Sequence, residues 1–263
     1  MSQRFSHRGS ATAGPLPELS PPYPERVPDG EGMRETWDRF ARKDAFYFVD
    51  SRLDYGRPDT ERFWAGGRED LDQLLGVLDV ALQPADRVVE IGCGLGRLTR
   101  EIAARATDVR ALDISPEMIE RAKELNPQLE NVEWIVGDGG SLGGVDDASA
   151  DACVSHVVFQ HIPDAAITLG YIREIGRVLR PGGWAAFQIS NDPTVHEPRG
   201  ERSRLKTVLG REPAKSDVED PAWLGSWVDL DDLRTTAAQA GMDMERTLGE
   251  GTQYCGVLLR RRA

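Results

Sequence analysis

The nine residues Val88-Val89-Glu90-Ile91-Gly92-Cys93-Gly94-Leu95-Gly96 constrain this chain more than any other stretch. A β-branched run feeds three glycines at alternate positions, and a helical pattern follows. Glycine reaches positive φ without steric cost, so this spacing makes a tight strand-to-helix turn whose backbone a ligand can approach closely. The turn lies at the carboxyl end of a strand and beside a helix N-terminus, where open α/β sheets bind their ligands.

The following sequence supplies the sheet that such a turn needs. Arg87–Ile91, Val109–Ile114 (ending at Asp113), Val132–Val136, Ala152–Val158 and Trp184–Ile189 read as strands. Between them Gly96–Ala106, a Ser115-Pro116-Glu117 start and Ala165–Arg180 read as helices, the last stopped by Arg180-Pro181-Gly182-Gly183. Strands that alternate with helices predict an α/β fold, a doubly wound, mostly parallel sheet covered on both faces. Asp229–Ala240 reads as a capped helix stopped by Gly241, and strands at 242–248 and 253–260 are close enough to pair as a hairpin.

Upstream, Trp37, Phe40, Ala41, Ala45 and Phe48 form one helical stripe, and Leu71, Leu74, Leu75 and Leu78 form a second that ends near Gln83-Pro84. Residues 1–30 are too poor in large apolar side chains to offset their ordering entropy and are expected to be a disordered tail. The predicted organisation is a tail, an N-terminal helical unit at 31–84 and a main domain at 85–263 with a polar insert at about 191–227.

Acidic residues outnumber basic ones 44 to 32, for a net charge of −12, which removes the default electrostatic reason to bind nucleic acid. No run has signal-peptide or membrane-spanning character, so a cytoplasmic protein with no membrane partner is expected. Cys93, Cys153 and Cys255 fit neither a disulfide framework nor a metal-ligand spacing, and no metal is predicted.

The glycine spacing also bears on the ligand. A dinucleotide fingerprint has glycine at relative positions one, three and six, which here are Gly92, Gly94 and Arg97. The pattern is instead acid-x-Gly-x-Gly-x-Gly, and S-adenosylmethionine, which carries no pyrophosphate, suits it better. Asp113 ends the second strand 17 residues after Gly96 and can accept from both ribose hydroxyls. Asp138, in Gly137-Asp138-Gly139, can accept from an adenine amino group.

These residues resemble the class I S-adenosylmethionine-dependent methyltransferases, small-molecule branch. Glu90 to Gly96 is similar to the family's first motif, Asp113 to its ribose acid, Asp138 to its adenine-side acid, and Leu179-Arg180-Pro181-Gly182-Gly183 to the turn before its fifth strand. The resemblance implies a seven-stranded Rossmann-like sheet whose last strand is antiparallel. It implies that Gly92, Cys93 and Gly94 hold the methionine moiety and that Ile114 and Met118 line the adenine pocket, with Gly139, Ser155 and His156 as further cofactor contacts. It also implies N-terminal helices folded over the cofactor as a lid, with Arg68 or Tyr47 meeting the methionine carboxylate.

A sulfonium methyl is already activated, so positioning supplies most of the catalysis and a base is needed only where the acceptor must lose a proton. His161, in Val158-Phe159-Gln160-His161-Ile162-Pro163 after the fourth strand, is the candidate base, set against a bracing role in that turn. No acid stands at the end of the fifth strand, Phe187-Gln188-Ile189-Ser190, so a paired His–Asp base is not expected. His196 reads as a solvated loop histidine. Acceptor contacts are sought among Tyr47, Trp64, Phe159, Gln160, Trp223, Trp227 and Tyr254. The resulting expectation is methyl transfer to oxygen or nitrogen of a small molecule, a partly aromatic or polycyclic secondary metabolite. A nicotinamide oxidoreductase, a nucleic-acid methyltransferase and a non-catalytic S-adenosylmethionine-binding protein stay open as rivals, as does a homo-oligomer.

Overall fold

The computed structural model describes residues 30–196 and 221–263. The predicted tail, apart from Gly30, and residues 197–220 of the insert lie outside the described residues. Seven strands form one sheet in the order β3-β2-β1-β4-β5-β7-β6. They are β1 (Arg87–Ile91), β2 (Asp108–Asp113), β3 (Val132–Val136), β4 (Ala150–Ser155), β5 (Leu179–Ile189), β6 (Met242–Leu248) and β7 (Cys255–Arg261). The first five are parallel, as the strand–helix alternation predicts, and β7 runs antiparallel to both β5 and β6, as the family resemblance implies.

The helices are α1 (Gly30–Val49), α2 (Thr60–Leu78), α3 (Thr99–Ala103), α4 (Pro116–Leu125), α5 (Ala165–Val178), α6 (Pro221–Leu224) and α7 (Leu230–Gln239). Alternation along the central strands divides the core in two. Val89, Ile91 and Cys153 face α5 and α7 through Ile172, Ile175 and Leu233. Val88, Ala152 and Val154 face the leucines of α2, with Ile102 of α3 and Ile119 of α4. Burial on both faces is why β1 and β4 read as continuous apolar runs.

Local chemistry sets the element ends. Ser115 caps α4, its Oγ accepting from Met118 N at 3.1 Å, with Pro116 in the first turn. Asp38 of α1 reinforces that start, accepting from Ser115 Oγ at 2.5 Å and Glu117 N at 3.2 Å, and so ties α1 to α4. Inside α1, Asp44 has extended backbone (φ −163°, ψ 82°), and its carboxylate accepts from Tyr47 N, so α1 kinks there and restarts with Asp44 as cap.

Several expected boundaries move. The second helix ends at Leu78, well before Pro84, because Asp79 turns left-handed (φ 59°) and donates back to Leu75 and Gly76. The helix read at 96–106 shrinks to Thr99–Ala103, since Gly96 at φ 85° still belongs to the turn. The fourth strand stops at Ser155, because Val157 takes φ 56°, a strained value for a β-branched residue. The fifth strand starts at Leu179, paired to Ala150, and shifts register before Trp184 pairs with Ala152. No helix among the described residues is long and apolar enough to cross a membrane.

Candidate active site

A cavity of about 1070 Å³ opens at the carboxyl ends of β1, β2, β4 and β5. α1, α2, α6 and the β6–β7 turn contribute the rest of its wall.

One part of this wall is made of backbone and charge. Gly92 and Gly94 hold φ 75° and 53°; Gly92 N and Cys93 N both donate to Leu112 O, at 2.7 and 2.9 Å. A Cβ on Gly92 would stand 2.4 Å from Val158, and one on Gly94 2.9 Å from Val49. Asp113 accepts from Gly94 N and Ser115 N, each at 2.9 Å, which leaves lone pairs on both oxygens for a ligand diol. Burial pushes the Asp113 carboxyl up to about 6, with the backbone hydrogen bonds opposing it. Burial likewise pushes Glu90 up to about 7, against the 2.6 Å hydrogen bond from Thr99 Oγ1.

Beside the glycine turn lies a four-charge cluster that sequence reasoning missed. Arg52 bridges Asp50 and Asp70 at 2.7–3.0 Å, and Arg97 reaches Asp70 at 2.5 Å. Burial raises the two carboxyls, but the arginines outweigh it and hold both below the usual range. All four side chains line the cavity. A Cβ on Gly67 of α2 would meet Arg97 O at 2.3 Å, and one on Gly66 would meet Arg52 Nη2 at 3.3 Å. Gly66-Gly67, just ahead of the leucine stripe, were the available signal, since inside the helix Thr60–Leu78 each glycine costs about 1 kcal/mol and needs a packing reason.

The other part of the wall is aromatic and uncharged. His161 sits in a 3-10 turn, Phe159–His161, with Nδ1 2.7 Å from the Trp223 carbonyl. Nδ1 therefore donates, and Nε2 keeps a free lone pair. Burial lowers the His161 pKa to about 4, partly opposed by that hydrogen bond, so the ring is neutral near pH 7. Trp223 lies 5.1 Å and Trp37 5.8 Å from the imidazole, centre to centre. α6 docks closely: a Cβ on Gly225 would sit 1.8 Å from the Gln160 carbonyl, and Ser226 Oγ donates to Ile162 O at 2.8 Å.

The cavity brings together Tyr47, Glu90, Gly92, Cys93, Gly94, Asp113, Ile114, Met118, Gly139, His156, Gln160, His161, Trp223 and Tyr254. Other expected contacts lie elsewhere. Asp138 is exposed and closes its own loop, accepting from Gly140 N and from Ser141 N and Oγ, so backbone at Gly137 and Gly139 replaces it on the wall. Gly96 serves packing, because its missing Cβ leaves room for Trp134. Ser155 Oγ ties β4 to β1 through Ile91 O at 2.9 Å. Phe159 is buried against Phe187 and Tyr171. Trp64 stacks under the Arg100 guanidinium. Trp227 is off the wall. Arg68 pairs with Glu101 at the surface and is off the wall. His196 is buried and bonded to Leu224 O through Nδ1, not solvated.

The residues present fit S-adenosylmethionine. Two glycines leave space beside the turn, Asp113 offers acceptors for a diol, and paired carboxylates and guanidiniums suit a zwitterionic amino acid. Buried His156 Nδ1, Gln160 Oε1 and Gln188 Oε1 have no protein partner and border the same cavity.

Residues 89–187 match the methyltransferase-domain family. Malonyl-[acyl-carrier protein] O-methyltransferase of Halorhodospira halophila is 29% identical over 176 residues, covering 66% of this chain and 54% of that protein. The 2-methyl-6-phytyl-1,4-hydroquinone methyltransferase of Synechocystis is 32% identical over 133 residues, covering 49% and 40%. The chain thus spans about half the length of these curated relatives. N-methyltransferase NodS of Bradyrhizobium japonicum, solved with S-adenosyl-L-homocysteine, shares the fold at TM-score 0.55 and 16% identity, over 88% of this chain and 99% of that one. Residues 89–187 thus form a methyltransferase domain, and its glycine turn and seven-stranded sheet are similar to those of the class I S-adenosylmethionine-dependent methyltransferases, whose cofactor the wall fits.

Proposed function

We propose that this protein methylates a neutral hydroxyl or amine on a small, partly aromatic metabolite. The observation that carries this reading is the continuity of one cavity from Asp113 and the glycine turn to His161 and Trp223. Bound at the charged wall, S-adenosylmethionine would supply a methyl carbon already activated by its sulfonium, whose electron pair stays with sulfur. Asp113 would hold the ribose and the Arg52–Asp50–Asp70–Arg97 cluster the methionine end. α1 and α2 act as a lid, excluding water over the glycine turn.

On the acceptor side, Nε2 of His161 takes the proton. A base of low pKa suffices, because the acceptor oxygen becomes strongly acidic only as its bond to the methyl carbon forms. Trp37 and Trp223 then flank the developing imidazolium.

Among the two relatives, a hydroquinone fits this reading better than a malonyl carboxylate. The cations on the wall among the described residues, Arg52 and Arg97, stand with Asp70 beside the glycine turn, at the end assigned to the cofactor. We assign a secondary metabolite handled in the cytoplasm as its setting, in keeping with the net charge of −12.

Calorimetry with S-adenosylhomocysteine, followed by assays of its production from S-adenosylmethionine with a panel of phenols, hydroquinones and amines, tests the proposal. The expected result is micromolar binding and acceptor-dependent turnover. Binding without turnover on any acceptor would favour the non-catalytic rival, and tighter binding of a nicotinamide nucleotide would favour the oxidoreductase.

A further inference from the structure

Five large apolar side chains stand exposed among the described residues: Val77 (44%), Val136 (45%), Val195 (37%), Leu248 (43%) and Tyr254 (55%). Single exposed hydrophobics are ordinary. Here four of the five, all but Val136, belong to the wall of the cavity that holds the glycine turn, and they come from three separate elements. Val77 lies in the last turn of α2, Leu248 and Tyr254 flank the β6–β7 turn, and Val195 follows β5. α2 and β7 meet without a gap, since a Cβ on Gly256 would be 3.6 Å from Leu78 Cδ2.

Formal charge is distributed unevenly over the same wall. Asp50, Arg52, Asp70, Glu90, Arg97 and Asp113 all lie by the glycine turn and the middle of α2, while the His161–Trp223 side and the apolar rim carry none among the described residues. A volume of about 1070 Å³ is at the top of the usual range of roughly 300–1,000 Å³ for a ligand site, so there is room for a cofactor and a second molecule.

We propose that the acceptor is an amphiphile: an uncharged polar or aromatic head beside His161, carrying an apolar chain that leaves the cavity over Val77, Leu248, Tyr254 and Val195. This rests on the methyltransfer reading above and names the substrate class for it. A chain at that exit covers the apolar rim and leaves the charged wall to the cofactor. A polar metabolite of compact size would leave the rim wet.

Full-length protein saturated with S-adenosylhomocysteine is titrated with 4-alkylphenols of two, four, six and eight chain carbons, followed by tryptophan fluorescence. Each added methylene is expected to tighten binding by up to about four-fold while the chain crosses the rim, the scale of methylene burial. Val77→Asp and Leu248→Asp, both at exposed positions, should flatten that dependence and leave S-adenosylhomocysteine affinity unchanged. Affinity independent of chain length, or an undiminished dependence in both variants, would overturn the proposal. So would sedimentation showing a dimer that the two variants dissolve, since the rim would then be covered by a second copy. Failure to bind S-adenosylhomocysteine at all is a separate outcome, and it removes the methyltransfer reading itself.

Discussion

The two walls of the cavity are built by different means. At the glycine turn the chain uses backbone: positive φ at Gly92 and Gly94, amides donating to Leu112 O, and one carboxylate at a strand end. At His161 it uses side chains brought from far apart, with Trp37 from α1 and Trp223 from α6 around a single imidazole. A wall made of backbone recognises a constant ligand, because the turn's conformation leaves little to vary. A wall assembled from distant side chains can vary with the acceptor while the sheet stays fixed.

The largest expected effect lies on the aromatic wall. His161→Ala should lower the methyl-transfer rate by roughly 100-fold, the scale of losing a general base, with S-adenosylhomocysteine affinity unchanged. His161→Gln should behave like alanine in single-turnover assays, because the amide cannot take a proton. If glutamine restored the rate, His161 would orient the acceptor only, and if alanine also weakened cofactor binding, the division between the walls would fail. With a pKa near 4, His161 itself should leave the rate flat between about pH 5.5 and 8.

On the charged wall, Asp113→Ala should weaken cofactor binding about 30-fold, or about 2 kcal/mol, because two ribose hydroxyls lose a charged acceptor. The same variant should affect turnover at saturating cofactor far less. Unchanged affinity in calorimetry would remove Asp113 from the site.

The smallest effect is in pH. Burial lifts the free Asp113 carboxyl from 3.8 to about 6, and a diol donates to its ionised form. Below pH 6 binding must therefore release a proton, and affinity should fall by up to about tenfold per unit. In the ligand-free protein the sign is reversed. The folded state holds these protons more tightly than the unfolded chain, so the stability from Asp113 and Glu90 is present at low pH and is lost as pH rises through about 6 to 7. The stabilisation by S-adenosylhomocysteine in thermal melts should accordingly grow from pH 5 to 7.5. A ligand increment independent of pH would show that Asp113 is already ionised in the free protein.

The same contrast explains what was legible in the sequence. The tight turn at Gly92 and Gly94, with Asp113 beside it, could be read directly because a turn with that conformation admits few sequences. The fold followed from strand–helix alternation, including the antiparallel β7, whose short link to β6 permits only a hairpin. Asp138 shows the limit of a single carboxylate as a signal: one among glycines is equally suited to closing its own loop, as it does here. Arg97 was read only as an obstacle to a dinucleotide. That it pairs with Asp70, 27 residues earlier, depends on how α2 crosses the turn, which no local pattern encodes. Phe159 and Trp64 show the same limit: an aromatic's spacing shows that it is buried, and tertiary packing decides on which side.

The Gly66–Gly67 pair has a consequence for the order in which the molecule assembles. Two glycines cost α2 about 2 kcal/mol of intrinsic helicity, so this helix is not expected to persist as an isolated segment. It gains its stability by closing on the Arg97 backbone and burying Leu71, Leu74 and Leu78 against a sheet that already exists. α2 is thus expected to form late in folding, after β1 and the glycine turn. The charged pocket that includes Asp70 would then be completed only when the last pieces of the chain dock, so the unfolded chain and early intermediates have nowhere to hold the cofactor.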